Sequence, residues 1–116
     1  QVHYDDKSKK IIGIFGAIDF PDDISGCLKK LNEIKPKIES VTRSTIVRKK
    51  ENINIKHWRD KSGKSYTTGV YYYFKNDHQI RLACYDWSEV MEPRIDHLRI
   101  GIYLKKYIDL VDSEYN

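Results

Sequence analysis

The stretch Gly69–Trp87 constrains the fold of this chain more than any other. Two runs of alternating apolar and polar residues, Val70–Phe74 and Ile80–Trp87, flank the turn-rich segment Lys75–Gln79. Alternation of this kind around a turn containing Asn and Asp is typical of a β-hairpin. The same stretch holds six of the chain's Tyr, Trp and Phe residues. We therefore expect an antiparallel hairpin with an aromatic side at the centre of the fold.

The residues before the hairpin predict one strand and one main helix. Ile11–Phe20 carries apolar residues at its even positions and is predicted to be a strand. Pro21–Asp23 is typical of a helix start, because proline fits the first turn and carboxylates complement the free N–H groups. Apolar residues then recur every three or four positions as far as Ile38. Pro36 predicts that this helix kinks or ends near Ile34.

The segment between the helix and the hairpin predicts further strand structure. Ser44–Lys50 and Asn52–Arg59 are expected to form either one long bent strand or two short ones. Alternation in the second run places Ile53, Ile55 and His57 on one side, which we expect to face the core. A turn follows before the hairpin begins.

The two ends of the chain complete the predicted fold. Residues 1–10 are polar and predict a flexible arm. His97–Leu104 is predicted to be the last strand, and Lys105–Asn116 a short C-terminal helix or an ordered tail. The order β-α-β-β-β-β predicts a single α+β domain, 1–116, with an antiparallel sheet of four to five strands and one main helix packed on one face.

Composition sets bounds on the partner and on membrane insertion. The net charge of +4 and the isoelectric point near 9.0 suit an anionic partner, although many proteins without one share these values. No apolar run reaches the eighteen or more residues that a spanning helix needs, so we expect no membrane span.

The two cysteines predict a covalent link between helix and sheet. Cys27 falls on the apolar stripe of the helix, and Cys84 on the hairpin side that this helix should cover. We expect a disulfide, the alternative being two buried free thiols. A disulfide, in a chain that opens with Gln1 and not with Met, favours a periplasmic or secreted protein whose signal peptide has been removed, or else an excised domain.

Side-chain parity divides the sheet into a core face and an opposite face rich in Tyr, Trp and Arg. These residue types are enriched at binding hot spots, and aromatic rings beside Arg also suit stacked nucleotide bases. A structural interpretation is that the N-terminal arm or the C-terminal segment covers this face. The predicted partner-binding residues are Trp58, Tyr71, Tyr73, Arg81, Tyr85, Trp87, Arg99 and Tyr103.

No motif in the sequence predicts catalysis, a metal or a cofactor. The spacing of the four histidines does not require any two to converge on one substrate. Four carboxylates follow the hairpin, but without a calcium-loop pattern. The cysteines lack zinc-site spacing. The residues concerned are His3, His57, His78 and His97, and Asp86, Glu89, Glu92 and Asp96.

These observations favour a small exported binding protein. We expect an inhibitor or immunity protein that occludes a secreted enzyme or toxin through the Tyr, Trp and Arg face and adjacent loops. The alternative is a nucleic-acid-binding domain or a small RNase-type toxin domain that uses the same face. A third hypothesis, a structural subunit, predicts a homo-oligomer formed through that face.

Overall fold

The structure is a computed structural model that describes the backbone of residues 1–115 and the side chains of residues 1–111. Within this part of the chain, six strands and two α-helices are present. Their bounds are β1 Val2–Tyr4, β2 Ile11–Asp19, α1 Ile24–Thr42, β3 Ile46–Lys56, β4 Tyr66–Phe74, β5 Gln79–Asp86, β6 His97–Tyr103 and α2 Lys105–Tyr115.

The strands form one antiparallel sheet in the order β1-β2-β6-β5-β4-β3. This confirms the predicted α+β class and antiparallel sheet. The strand count of four to five was too low, because Val2–Tyr4 adds a sixth strand at the edge beside β2. Residues 1–10, predicted as a flexible arm, include this strand. A three-residue strand is too short to show a period-two pattern, so the sequence gives no signal for it.

The main helix begins where the sequence predicts and ends later. The Asp23 carboxylate accepts a hydrogen bond from the Gly26 N–H at 2.9 Å and caps the first turn. The prediction was that the helix kinks or ends near Ile34; the end was wrong, since α1 continues through Pro36 to Thr42. Pro36 lies on the exposed side of the helix. The carbonyl group that it leaves unbonded is therefore accessible to water, which lowers the cost of an internal proline.

A disulfide joins α1 to the sheet, as predicted. Cys27 and Cys84 are bonded with their Cα atoms 6.0 Å apart, and both residues are almost fully buried. They lie within one apolar core between α1 and the strands β4, β5 and β6. The other buried members of that core are Leu31, Ile38, Val70, Tyr72, Leu82 and Leu98.

The two helices cover opposite faces of the sheet. We call the α1 side the helix face, defined by Val70, Tyr72, Leu82, Cys84 and Leu98 together with Ile14, Ile18, Ile100 and Ile102, which the strand register places on the same side. We call the other side the aromatic face, defined by Phe15, Tyr71, Tyr73, Arg81, Tyr85, Arg99 and Tyr103. The helix α2 packs on β2 on the aromatic face. Each helix covers only part of its face.

A β-bulge in β3 reverses the expected direction of its side chains. Asn52 pairs with Gly69 and Ile55 pairs with Thr67, so β3 holds one residue more than β4 across this interval. Asn54, at the bulge, has a φ of 49° and donates its N–H to the Thr68 hydroxyl at 3.0 Å. An extra residue shifts the alternation by one position, so the β3 side chains after the bulge point to the face opposite to the expected one. The strand ends at Lys56, so the alternation does not extend to Trp58.

The predicted core positions in β3 were therefore wrong. Ile53 and Ile55 are exposed. His57, which follows the strand, contacts Tyr85 and Trp87 on the aromatic face instead of the core. A bulge depends on how two strands pair, which the alternation within one strand cannot reveal.

Candidate functional site

The predicted partner-binding residues lie on or beside the aromatic face. Strand pairing places Tyr71 opposite Arg81 and Tyr85 opposite His97. Trp87 follows β5 at one end of the face, and Trp58 follows β3 at the same end, since both have ring contacts with the His57 imidazole. The remaining predicted residues, Tyr73, Arg99 and Tyr103, also occupy positions of this face.

Arginine side chains stack on the tyrosines across the middle of the face. The Arg48 guanidinium carbon lies 3.9 Å from the centroid of the Tyr73 ring. The Arg81 guanidinium carbon lies 4.6 Å from the Tyr71 centroid and 5.5 Å from the Tyr103 centroid. Cation–π contacts of this geometry hold the planar guanidinium flat against the sheet. The cationic groups are therefore ordered in the free protein.

Arg99 connects the two ends of the aromatic face. Its guanidinium carbon lies 4.5 Å from the Phe15 centroid and 5.2 Å from the Tyr85 centroid. Burial raises the pKa of Tyr85, although the nearby Arg99 charge opposes the shift. Tyr85 therefore stays a neutral phenol at any physiological pH.

Two histidines complete the end of the face where the tryptophans lie. The ring centroids of His57 and Trp87 are 4.6 Å apart, and those of Tyr85 and His97 are also 4.6 Å apart. Tyr85 and Trp87 stack at 5.9 Å, and the Arg94 guanidinium carbon lies 5.0 Å from the Trp87 ring. We call this group, with Trp58 and Arg99, the aromatic end; its members are His57, Trp58, Tyr85, Trp87, Arg94, His97 and Arg99.

Burial is the main cause of a lowered pKa at His57, and the charges of Arg59, Arg94 and Arg99 lower it further. The imidazole is therefore neutral at pH 7 in the free protein. Its Nδ1 atom accepts a hydrogen bond from the Arg59 N–H at 3.1 Å.

Sequence reasoning missed both His57 and His97 as neighbours of Tyr85. The bulge in β3 and the pairing of β5 with β6 bring them there, and neither is visible in the sequence alone.

A buried carboxylate positions the loops of the aromatic end. The Asp60 carboxylate accepts hydrogen bonds from the hydroxyl groups of Ser62, Ser65 and Ser88, each at 2.6 Å. These bonds hold the pKa of Asp60 well below its ordinary value. Ser62 and Ser65 belong to the turn after β3, and Ser88 belongs to the loop after Trp87. Asp60 therefore ties together the two segments that carry the tryptophans.

The other half of the aromatic face is covered by chain ends. The Tyr107 ring stacks on Tyr103 at 5.0 Å, and the His3 ring lies 4.6 Å from Tyr107 and 5.4 Å from Phe15. Tyr103 is only 5 % exposed, and burial raises its pKa to about 12. Tyr103 therefore supports the face from below α2 and does not form part of its accessible surface. The interpretation that the chain ends cover the aromatic face therefore holds for this half alone.

Among the described side chains, three buried polar atoms on the aromatic face have no hydrogen-bond partner. They are the Nε2 atoms of His3 and His97 and the Nε atom of Arg99. Buried polar atoms in folded proteins nearly always have a hydrogen-bond partner, so such atoms require an explanation. Here they fall on one side of the sheet, beside the stacked arginines.

The charges of the two faces are arranged differently. On the helix side, Lys49 pairs with Glu39 at 2.8 Å and Lys35 pairs with Glu51. The aromatic face differs in that its arginines form no ion pair within the described part of the chain. These arginines are Arg48, Arg81, Arg94 and Arg99. The arginines of the aromatic face therefore stack on aromatic rings and form no ion pairs among the described residues. Carboxylates do lie nearby: Asp19 pairs with His97 in the strand register on this side of the sheet, and the cleft lined by Trp87 and Arg94 also includes Asp22, Glu89, Glu92 and Asp96.

The described residues contain no group of three or more His, Cys, Asp or Glu side chains that could hold a metal ion. Neither helix, over the same part of the chain, has the length and apolar character needed to cross a membrane. No protein-family model, curated protein or solved structure matches this chain.

Proposed function

We propose that this chain is a small binding protein that occludes an acidic surface of a partner protein through the aromatic end. Its concrete form is an inhibitor or immunity protein directed against a secreted enzyme or toxin. The observation that carries the proposal is that Arg48, Arg81, Arg94 and Arg99 form no ion pair within the described part of the chain, although each stacks on an aromatic ring.

Charge and shape support a protein partner with acidic groups. Arg forms strong, two-pronged hydrogen bonds with carboxylates, and Trp and Tyr fill pockets at the centres of interfaces. Carboxylates of a partner placed over Arg94 and Arg99 would supply acceptors for these two guanidinium groups, which form no ion pair among the described residues. The exposed Trp58 ring at its edge would contribute apolar area.

Order in the free protein also supports a binding role. Ring and guanidinium contacts already fix Tyr85, Trp87 and Arg99, and Asp60 fixes the loops beside them. Association costs about 0.5–1.5 kcal/mol for each flexible side chain that it immobilises. A surface that is ordered before binding avoids much of this cost.

The disulfide supports a role in an oxidising compartment. Structural disulfides persist in the periplasm and outside cells and are rare in the cytosol. Such a compartment suits an inhibitor of a secreted enzyme or toxin, because both proteins would meet there. Periplasmic or secreted localisation is thus part of the proposal.

One observation favours a second function, the binding of single-stranded nucleic acid. The rings of Trp58, His57, Trp87, Tyr85 and His97 follow one another in contact across the aromatic end, with arginines beside them. Successive bases stack on such rings while arginines contact the phosphates. Nucleic-acid affinity of this kind falls steeply with added salt.

The proposal is tested by affinity capture from the source organism, with the captured partner then titrated by calorimetry. The double variant Trp58→Ala/Arg94→Ala removes one ring and one charge from the aromatic end. Arg43→Ala, which removes an exposed arginine at the end of α1, is the matched control. We expect the double variant to lose at least about a hundredfold in affinity, as interface anchors do, and the control to bind like the wild type.

Equal binding by the double variant and the control would exclude the aromatic end as the contact site. The nucleic-acid alternative is tested with a fluorescent single-stranded oligonucleotide at low salt. Absence of binding there eliminates it. Tight, salt-sensitive binding that the double variant loses would replace the protein-partner proposal.

A further inference from the structure

A groove lies on the helix face between the C-terminal half of α1 and β3. Its volume of about 490 Å³ falls within the range of about 300–1,000 Å³ that is typical of small-molecule sites. It is lined by Pro36, Glu39 and Arg43 of α1, Ile46 and Lys49 of β3, and Tyr72 of β4. The groove forms because α1 packs mainly on β5 and β6, which leaves a gap between the helix and the edge strand β3.

Hydrogen bonds fix the floor of the groove. The Glu39 carboxylate accepts one hydrogen bond from the Lys49 ammonium group at 2.8 Å and another from the Tyr72 hydroxyl at 3.2 Å. Tyr72 is fully buried, so it supports Glu39 from below. The hydrogen bond from Lys49 lowers the pKa of Glu39, so this carboxylate stays ionised and paired at neutral pH. The floor is therefore ordered before a ligand arrives.

Two apolar side chains form part of the walls. Pro36 on α1 is exposed, and Ile46 on β3 is partly buried against the core. An apolar ring or chain placed between these two elements would contact both side chains. Such contacts would remove apolar area from water on both walls, which favours binding.

The charges that line the groove favour an anion. Arg43 and Lys49 are cationic and Glu39 is anionic, so these three side chains leave a net charge of +1. Lys49 is paired with Glu39, whereas Arg43 forms no ion pair with any side chain that the structure describes. Arg43 directly follows α1, whose C-terminal dipole is equivalent to only about half a negative charge. The full charge of Arg43 therefore outweighs the helix dipole.

The chain around the groove is also basic. Residues 29–50, which hold most of α1 and the start of β3, contain eight Lys and Arg residues and two Glu residues, a net charge of +6. Since the whole chain carries +4, the remaining residues together carry −2. The positive charge is thus concentrated in the segment that forms the groove, where it attracts anions.

We infer that the groove binds a small amphipathic anion, with its apolar body between Pro36 and Ile46 and its oxyanion group on Arg43. A guanidinium group binds carboxylate, sulfonate and phosphate groups through parallel hydrogen bonds. A molecule of about twenty non-hydrogen atoms, with the binding efficiency usual for that size, binds with a Kd of the order of 10–100 µM. The groove and the aromatic end lie on opposite faces, so this binding function is additional to the one proposed above.

Two dyes of matched shape test the inference by fluorescence titration. Anilinonaphthalene sulfonate has an apolar ring system and one anionic group, and phenylnaphthylamine has the same rings without the sulfonate. We expect the sulfonate dye to bind the wild-type protein at one site with a Kd in the range given above. The neutral dye should bind at least about tenfold more weakly, because it forms no charged hydrogen bond with Arg43.

Two variants locate the dye in the groove. Arg43→Glu reverses the charge that holds the sulfonate, and Ser40→Trp, at another position that lines the groove, fills the space for the rings. Each should weaken binding of the sulfonate dye at least about tenfold. The matched controls are Lys29→Glu, exposed on the same helix outside the groove, and Val41→Trp, at the exposed position next to Ser40. Both controls should bind like the wild type, and circular dichroism establishes that each variant is folded.

Three results would overturn the inference. Dye binding that both groove variants retain, or that the two controls lose equally, does not depend on the groove. Equal affinity for the two dyes excludes a role for the anionic group. A wild-type protein without saturable binding below about 1 mM excludes the groove as a site for such molecules. None of these results affects the binding proposal, whose variants lie on the opposite face.

Discussion

Loss of the disulfide between Cys27 and Cys84 should destabilise the fold by a predictable amount. The bond closes a loop with a sequence separation of 57 residues. In the chain-entropy description, a loop of this length removes enough disorder from the unfolded state to stabilise the native state by about 4 kcal/mol at 25 °C. For a domain of this size, that corresponds to a fall in melting temperature of about 12–20 °C.

The measurement compares oxidised and reduced wild-type protein by urea unfolding. Because both cysteines are buried, the sample is unfolded in urea with reductant and refolded before titration. We expect the midpoint to fall by about 2 M urea. The Cys27→Ala/Cys84→Ala variant is the control for the reductant, which should leave its midpoint unchanged.

A loss below about 1 kcal/mol on reduction would refute this reasoning. It would mean that the unfolded chain is already compact around the helix and the hairpin, so that the bond removes little disorder. A loss well above 4 kcal/mol would point to packing around the sulfurs as the larger contribution. Measuring the slope of the urea dependence separates these cases, because a compact unfolded state lowers it.

Three further predictions concern the loops and the bulge. Asp60→Asn should lower the melting temperature at pH 7. The difference in melting temperature between the wild type and this variant should shrink as the pH falls below about 4. The reason is that a carboxylate with a lowered pKa stabilises the fold only while it is ionised. The pKa of His57 is also lowered, so the unfolded state binds a proton more readily than the folded state. The melting temperature should therefore fall as the pH drops below about 6.5. In thermal melts, His57→Gln should make the melting temperature depend less on pH over this range. Asn54→Val should cost about 1–3 kcal/mol in urea unfolding because β-branched residues resist a φ of 49°, whereas Asn54→Gly should stay within a few tenths.

The sequence by itself determined the hairpin, the main helix and the link between them. Alternation separates Tyr72 and Leu82 from Tyr71 and Arg81 whatever the partner strand is, because consecutive side chains of a strand point to opposite faces. The same parity places Cys84 on the side that α1 covers, where Cys27 lies on the apolar stripe of the helix. The disulfide and the α+β class follow from these local patterns.

Only the tertiary structure decided which parts of each face are covered. The bulge in β3 moves His57 to the aromatic face, and α2 buries Tyr103 while leaving the tryptophan end open. Likewise, α1 covers β5 but leaves Ile102 on β6 exposed. The physical reason is that periodicity within one segment fixes where its side chains point, whereas bulges, edge strands and the footprint of a helix depend on how separate segments pair and pack.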